Sequence, residues 1–215
     1  MKLDLHVHTR YSKDSFCLAY KALKEAKKKG LDGIAITDHN TIRGWPEAIE
    51  AAKKLDILLI LGEEIKCKEG IEVLGLFLKK EIHPDSLDNV VKEIKKQKGV
   101  AILAHPFYKK NSFSEIEDYV KKVDAMELLN SRRTIGQNRK AKILYQNLKE
   151  NVAITASSDA HTSFEIGTAY TEANAKNLEE FKEAILNKKT TIKGKLSPWT
   201  VHIISSLANL RFRKK

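Results

Sequence analysis

Five of the seven histidines in this chain stand beside carboxylates or at the ends of apolar runs of strand length. Three clusters carry them: Asp4-Leu5-His6-Val7-His8, Thr37-Asp38-His39-Asn40 and Ser158-Asp159-Ala160-His161. Glu64 and His105 fall between these clusters at similar positions. Neutral imidazole and carboxylate are common ligands of zinc, manganese and iron, so the residue types point first to metal-dependent hydrolysis.

Position sharpens the reading of each group. His6 and His8 alternate around Val7, which in an extended strand aims both rings the same way. Two unpaired imidazoles in a buried strand would be costly, which favours ligation. Asp4 is expected on the same face, orienting a ligand histidine. Asp14 fits either a helix N-cap or a ligand. In Asp38-His39 one side chain can reach a metal while the other supports it. Glu63 and Glu64 follow Leu58-Leu59-Ile60-Leu61-Gly62; one should point inward, where a carboxylate can bridge two ions. Pro106 sets an extended exit after His105. His83 and His202 lack such placement and read as a surface residue and a residue of a C-terminal helix.

The elements that must position these groups alternate. Apolar runs predict strands near Leu3–Val7, Gly33–Thr37, Ile57–Leu61, Glu72–Leu78, Val100–Ala104, Ala125–Leu129 and Val152–Ala156. Start and stop signals place helices at about Ser15–Lys29, Pro46–Lys54, Pro84 to just before Gly99, Ser114–Lys122, Thr134–Lys149 and Leu178–Asn187. Repeated β-α-β order implies right-handed crossovers. Ligands that follow five different strands can share metals only if the strand ends meet at one mouth, as in a barrel. The 215 residues fall short of the roughly 250 typical of eight units. The expected fold is therefore α/β: a distorted seven-stranded TIM-like (β/α)7 barrel over residues 1–196, with a hairpin-like excursion between Glu64 and Leu78. Residues 197–215 are expected to form a C-terminal helix with a basic tail on the same domain. Val201, Ile204, Leu207 and Leu210 would be its packing face, across the barrel or against its bottom.

Composition is that of a soluble domain, 42% hydrophobic and 31% charged. No apolar run reaches membrane-spanning length, and the first strand starts too early for a signal peptide, so a cytoplasmic location is expected. Cys17 and Cys67 are too few and too far apart for a disulfide framework. A net charge of +11 and a pI near 9.5 suit anionic partners, either phosphorylated metabolites, nucleotides or nucleic acid, although lysine runs also form solvated helix faces.

Four ordered blocks, Asp4-Leu5-His6-Val7-His8-Thr9, Ile36-Thr37-Asp38-His39-Asn40-Thr41, Ala104-His105-Pro106 and Ser158-Asp159-Ala160-His161, resemble those of the polymerase and histidinol phosphatase domain family, over nearly the whole chain. The resemblance implies a distorted seven-stranded barrel and two or three divalent metal ions (zinc, manganese or iron). It implies that His6, His8, Glu64 and Asp159 hold the first metal, Glu64 and His105 the second, and Asp14, His39 and His161 the third. Gly62-Glu63-Glu64-Ile65 follows the family pattern with Glu64 as the bridge. One departure stands out: Glu72 occupies a slot where many relatives have histidine, which bears on the second metal.

The expected reaction is phosphoester hydrolysis by a metal-activated water, with Asp159, His39 and His161 as the catalytic residues and Arg132 and Arg43 binding phosphate. Trp45 is a candidate to stack on the substrate or to form a lid. Three alternatives accompany this reading. One is an exonuclease of short oligonucleotides or a histidinol phosphatase. The second is C–N hydrolysis on an amidohydrolase-like barrel. The third is a non-catalytic RNA-binding or accessory protein.

Overall fold

The computed structural model describes residues 1–109, 111–148 and 151–213, with side chains described as far as Ala208. Among the described residues nine strands form one sheet: β1 (Lys2–Val7), β2 (Gly33–Ile36), β3 (Leu58–Lys66), β4 (Glu72–Leu76), β5 (Val100–Leu103), β6 (Ala125–Asn130), β7 (Ala153–Ser157), β8 (Ala169–Ala173) and β9 (Thr190–Gly194). Their order is β7-β6-β5-β4-β3-β2-β1-β8-β9. The sheet curls until its ends meet. The His8 N–H donates to the Ala160 carbonyl at 2.8 Å and the Ala160 N–H to the His6 carbonyl at 3.2 Å, which stitches β1 to the segment after β7.

All seven expected strands form, but the count of seven is corrected to nine. The additions are the antiparallel pair β8–β9, which extends the sheet from β1. Their sequences, Ala-Tyr-Thr-Glu-Ala and Thr-Thr-Ile-Lys-Gly, are short and mixed in polarity, because the outer strand β9 is largely exposed. The excursion between Glu64 and Leu78 is a hairpin: β4 runs antiparallel to both β3 and β5. Its first residue, Glu72, therefore lies at the same rim as the C-terminal ends of its neighbours.

Helices α1 (Ala19–Lys28), α2 (Trp45–Leu55), α3 (Leu87–Lys96), α4 (Phe113–Val120) and α5 (Ile135–Asn147) cover the outside. Reciprocal capping boxes start α4 (Ser112 with Glu115) and α5 (Thr134 with Gln137). One apolar cluster joins these helices to the outer face of the sheet, for example Leu23, Ile34, Ile36, Ala48, Val90 and Ile116. A second fills the barrel, with Leu3, Leu5, Ala35, Ile60, Leu74 and Ile102. Phe181 and Ile185 of helix α6 (Leu178–Leu186) belong to this inner cluster and plug the lower end.

The last helix, α7 (Val201–Arg213), corrects the expectation for the C-terminal segment. It lies at the mouth, where Ser206 lines the same cavity as His161 and Arg133. Its contact face is Val201, Ser205 and Ala208, while Ile204 and Leu207 are exposed. Leu207 thus leaves the expected stripe because a buried polar side chain, Arg132, sets how the helix sits. Lys149, Lys214 and Lys215 and the side chains of Leu210 to Arg213 lie outside the described residues.

Phase along β1 decides which side chains reach the lumen. Asp4 pairs with Ile34 and Val7 with Ile36, so Leu5 and His6 both stand opposite the single Ala35. This bulge shifts the alternation by one residue. Below it, Leu3 and Leu5 face the inner cluster; above it, Val7 faces the helices and His6 and His8 face the mouth. Asp4 consequently lies on the opposite side from the histidines. It accepts hydrogen bonds from the Ser158 and Gly167 backbone N–H groups at 3.0 and 2.8 Å and orients no ligand histidine, contrary to the sequence expectation.

Candidate metal centre

Glu64 is the hub of the mouth. Its Oε1 lies 3.0 Å from His105 Nε2. Its Oε2 lies 3.4 Å from both His6 Nε2 and His8 Nε2 and 2.7 Å from His39 Nδ1. Strand alternation sends its neighbour outward: Glu63 Oε2 accepts the Ile82 N–H at 2.9 Å, and burial pushes the Glu63 carboxyl up to about 8. Gly62 permits the approach of β3 to β4, since a Cβ there would stand 2.8 Å from the Gly75 carbonyl oxygen.

Four donor groups cluster around this hub: His6, His8 and Asp159; His6, Glu64 and His105; His8, His39 and His161; and His39, Glu64 and Glu72. Asp159 Oδ1 is 3.7 Å from His6 Nε2 and 3.4 Å from His8 Nε2. Glu72 Oε2 is 3.7 Å from His105 Nε2. Asp14 is no helix cap, since α1 begins at Ala19 with Leu18 before it. It turns instead to the mouth, with Oδ2 at 3.4 Å from His39 Nε2 and 3.3 Å from His161 Nε2. The nine proposed donors thus share one region of the rim.

Neighbouring groups settle which imidazole nitrogens are bare. His6 Nδ1 donates to Glu127 at 3.0 Å, His8 Nδ1 to Ser12 at 3.1 Å and His161 Nδ1 to the Asp159 carbonyl at 2.8 Å. Each ring thereby turns its Nε2 toward the centre, the nitrogen it would offer a metal. His6 Nε2 and His8 Nε2 stand 2.9 Å apart, and Asp14 Oδ1 and Glu64 Oε2 are buried without a hydrogen bond. Imidazole nitrogens and carboxylate oxygens packed this closely in a buried site form a donor set suited to cations.

The electrostatics agree. Burial opposes charge on His6, yet Glu64, Asp159 and Glu127 hold its pKa well above the ordinary value. Burial and the rings of His161 and His39 hold His8 well below its own. Against the penalty of burial, His6 and His39 keep Glu64 ionised well below the usual carboxylate range, and hydrogen bonds from His161 and His39 do so for Asp14. Burial and the charge of Glu64 raise Glu72. Two donor residues also adopt left-handed backbone conformations rare outside glycine, His105 at φ 27° and Asp159 at φ 55°. Such strain tends to gather where side chains must be aimed.

Supporting residues went partly unseen in the sequence. Asp38 plays the supporting part in its pair: it accepts from Thr9 and Ser12 at 2.6 Å each, and Ser12 in turn receives His8. Glu127 was missed. It takes His6 on Oε1, the His105 N–H at 2.8 Å and Asn130 Nδ2 at 2.9 Å on Oε2, and a hydroxyl hydrogen bond from Ser157. A lone charged residue in the apolar strand Ala-Met-Glu-Leu-Leu-Asn was its available signal.

The two arginines expected to bind phosphate, Arg132 and Arg43, both stand outside the cavity lining, and Arg133 lies within it. Arg132 is 3% exposed at its side chain and faces away from the cavity, with Nη2 donating to Ser205 at 2.7 Å and Nε 3.3 Å from Glu165. Arg133 lines the cavity, 3.2 Å from Asp159 Oδ2 and stacked over Tyr108 at 4.2 Å. Arg43 sits over the Tyr11 ring at 5.6 Å, outside the cavity lining. Trp45 is buried and donates to the Gly62 carbonyl at 2.9 Å, a packing role. The cavity itself measures about 800 Å³ and includes Tyr11, Lys13, Lys66, Tyr108 and Lys109 at its rim.

Known proteins share this frame. An uncharacterized protein of Methanocaldococcus jannaschii is 35% identical over 190 residues, which cover 84% of this chain and 73% of that protein. A 5'-3' exoribonuclease of Haemophilus influenzae is 38% identical over 86 residues, 39% of this chain and 31% of that protein. Among solved structures, a two-domain protein from Bacteroides vulgatus, described as containing a predicted PHP-like metal-dependent phosphoesterase, superposes with a TM-score of 0.72 at 20% identity. The match covers 91% of this chain and 65% of that longer one. The family model for the PHP domain matches residues 4–198, and the chain belongs to the PHP domain family.

Proposed function

We propose that this protein is a metal-dependent phosphoester hydrolase whose centre is organised by Glu64. The observation that carries the reading is the contact of one buried carboxylate with His6, His8, His39 and His105 together. His6, His8, Glu64 and Asp159 would hold one cation, Glu64, His105 and Glu72 a second, and Asp14, His39 and His161 a third. Zinc, manganese and iron all suit this mixture of nitrogen and oxygen donors. Bound divalent ions would supply Lewis acidity, activating water near neutral pH and screening phosphate charge.

The chain's own residues do the positioning. Arg133 directs its guanidinium at the cavity beside Asp159, where its fork suits phosphate oxygens. The Tyr108 ring under it limits its rotamers, so little entropy is lost when the phosphate arrives. Glu127, Ser12 and the Asp159 carbonyl keep three imidazole protons turned away from the substrate. With a cation bound, His161 would offer it Nε2, since its Nδ1 already meets the Asp159 carbonyl oxygen at 2.8 Å. Glutamate at position 72 adds negative charge where a neutral imidazole would add none, which favours a harder cation at the second position.

A nucleotide or oligonucleotide substrate is favoured over a bare sugar or amino-acid phosphate. Tyr11 and Tyr108 stand at the rim, each beside an arginine, and Lys13, Lys66 and Lys109 line the same cavity; aromatic rings among cations suit single-stranded nucleic acid. The partial match to an exoribonuclease agrees with this choice. The test is metal analysis of the purified protein together with a phosphate-release screen across nucleotides, short oligonucleotides and small phosphomonoesters. Chelation should abolish release and manganese or zinc restore it. Release that survives chelation would overturn the reading.

A further inference from the structure

The matched PHP domain ends at residue 198, yet the chain continues into α7, which is anchored at the mouth by buried charge. Arg132 donates to Ser205 Oγ and to the Val201 carbonyl oxygen at 3.4 Å. Its partner Glu165 is 1% exposed at the side chain. Glu165 Oε2 accepts from the His161 N–H at 3.1 Å and from the Thr162 N–H and hydroxyl at 3.0 Å each. The Ser197 N–H adds a bond to the Ser131 carbonyl oxygen at 2.8 Å. A buried arginine is expensive unless fully paired, and here the pairing ties the helix to the very loop that carries Asp159 and His161.

Topology places this helix on one side only. It rests on the segments that follow β6 and β7. Strands β1 to β7 follow one another around the mouth, closed by the bonds between β1 and Ala160, so these segments stand away from β3 and β4, where Lys66 lies and where Lys109 donates to the Gly70 carbonyl oxygen at 2.6 Å. One side of the mouth is therefore walled by α7, with Ser206 at the cavity surface, and the facing side is open and cationic.

Building on the phosphoesterase reading, we propose that α7 is a fixed wall that confines the site to terminal phosphates. A strand can run from the centre over Lys66 and Lys109, but it cannot continue past Arg133 through the helix. An internal phosphodiester, which needs strand on both sides, is excluded. Arg132 and Glu165 are positioning residues of this wall; neither touches the cavity.

The experiment compares a linear single-stranded oligonucleotide bearing terminal phosphates with a ligated circle of the same sequence. Full-length protein with manganese should degrade the linear form from an end and spare the circle, with at least tenfold discrimination. Arg132→Met/Glu165→Gln removes both buried charges together and avoids stranding either one, and Ser205→Ala weakens the anchor more gently. Both should speed hydrogen exchange over residues 201–208 and gain cleavage of the circle, while Ser205→Ala, which touches no group of the metal centre, keeps p-nitrophenyl phosphate hydrolysis. Fluorescence anisotropy with calcium in place of manganese reads the same preference as binding: several-fold tighter for the linear form, equalised in the double variant. Wild-type protein that binds and cuts both forms alike, that binds neither, or variants that loosen α7 without admitting the circle would overturn the wall. End-selective binding without phosphate release from any substrate would overturn the hydrolase reading and leave the wall supported.

Discussion

The two ends of this barrel are built from the same strands and obey opposite rules. At the lower end, Leu3, Leu5, Ile60 and Ile102 share one apolar cluster with Phe181 of α6. At the upper end the same strands deliver buried imidazoles and carboxylates, two of them on strained backbone. Apolar burial stabilises the lower half, whereas the upper half gathers like charges and desolvated groups that oppose folding. The fold is thus held from below so that a costly arrangement can persist above.

The sharpest way to break this contrast is to exchange one residue at each end. Glu64→Gln should lower phosphate release by roughly 10³-fold or more and remove bound metal, with thermal stability unchanged or raised; metal analysis and calorimetry report the two effects. Phe181→Ala should do the reverse, costing about 3–5 kcal/mol of stability in denaturant titration while the folded fraction keeps its metal. A variant at position 64 that unfolds the protein would refute the division of labour.

Adjacent arginines sharpen the comparison within the mouth. Arg133→Met should reduce kcat/KM for a small phosphomonoester by on the order of 10²-fold, with little change in melting temperature. Arg132→Met should instead destabilise the protein by about 3–5 kcal/mol, because it leaves Glu165 buried and unpaired. Steady-state kinetics beside thermal melts separates these outcomes. Next in size comes Glu127→Gln, which keeps the shape but weakens the acceptor for His6 Nδ1. Metal affinity should fall by roughly 10–100-fold in a chelator competition.

Legibility in the sequence followed the same boundary. The inner and outer strands of the lower half were readable because continuous apolar runs report burial on both faces. His6, His8, Glu64, His105, Asp159 and His161 were readable because histidines and carboxylates at strand ends are rare without a reason. Arg132 and Arg133 were not separable: two like residues in one turn point in different directions, and only the surrounding partners decide which. Asp4 was misplaced because a bulge leaves no mark on alternation read by eye. The pair β8–β9 escaped because β8 only alternates buried and half-buried residues and the outer strand β9 is largely exposed, so neither is a continuous apolar run. Glu127 acts through the hydrogen bonds it accepts from His6, His105, Asn130 and Ser157, and a sequence shows no such relay.

The smallest expected effect concerns the outer packing layer. Burial pushes the Cys17 and Cys67 thiols up to about 12, so thiolate is scarce well above neutral pH. Neither should react with iodoacetamide in native protein at pH 8, and both should react in denaturant, as read by intact mass. Rapid native labelling of either would show that the layer between helices and sheet opens more readily than its burial implies.

The doubling of Leu5 and His6 against Ala35 gives β1 two reading frames joined at one residue. A β1 that alternated without this doubling would keep the strand in the sheet and every residue type in place. It would force a choice, though: either the leucines keep the lumen and the rings turn outward among the helices, or the rings keep the centre and the greasy floor of the barrel is turned inside out.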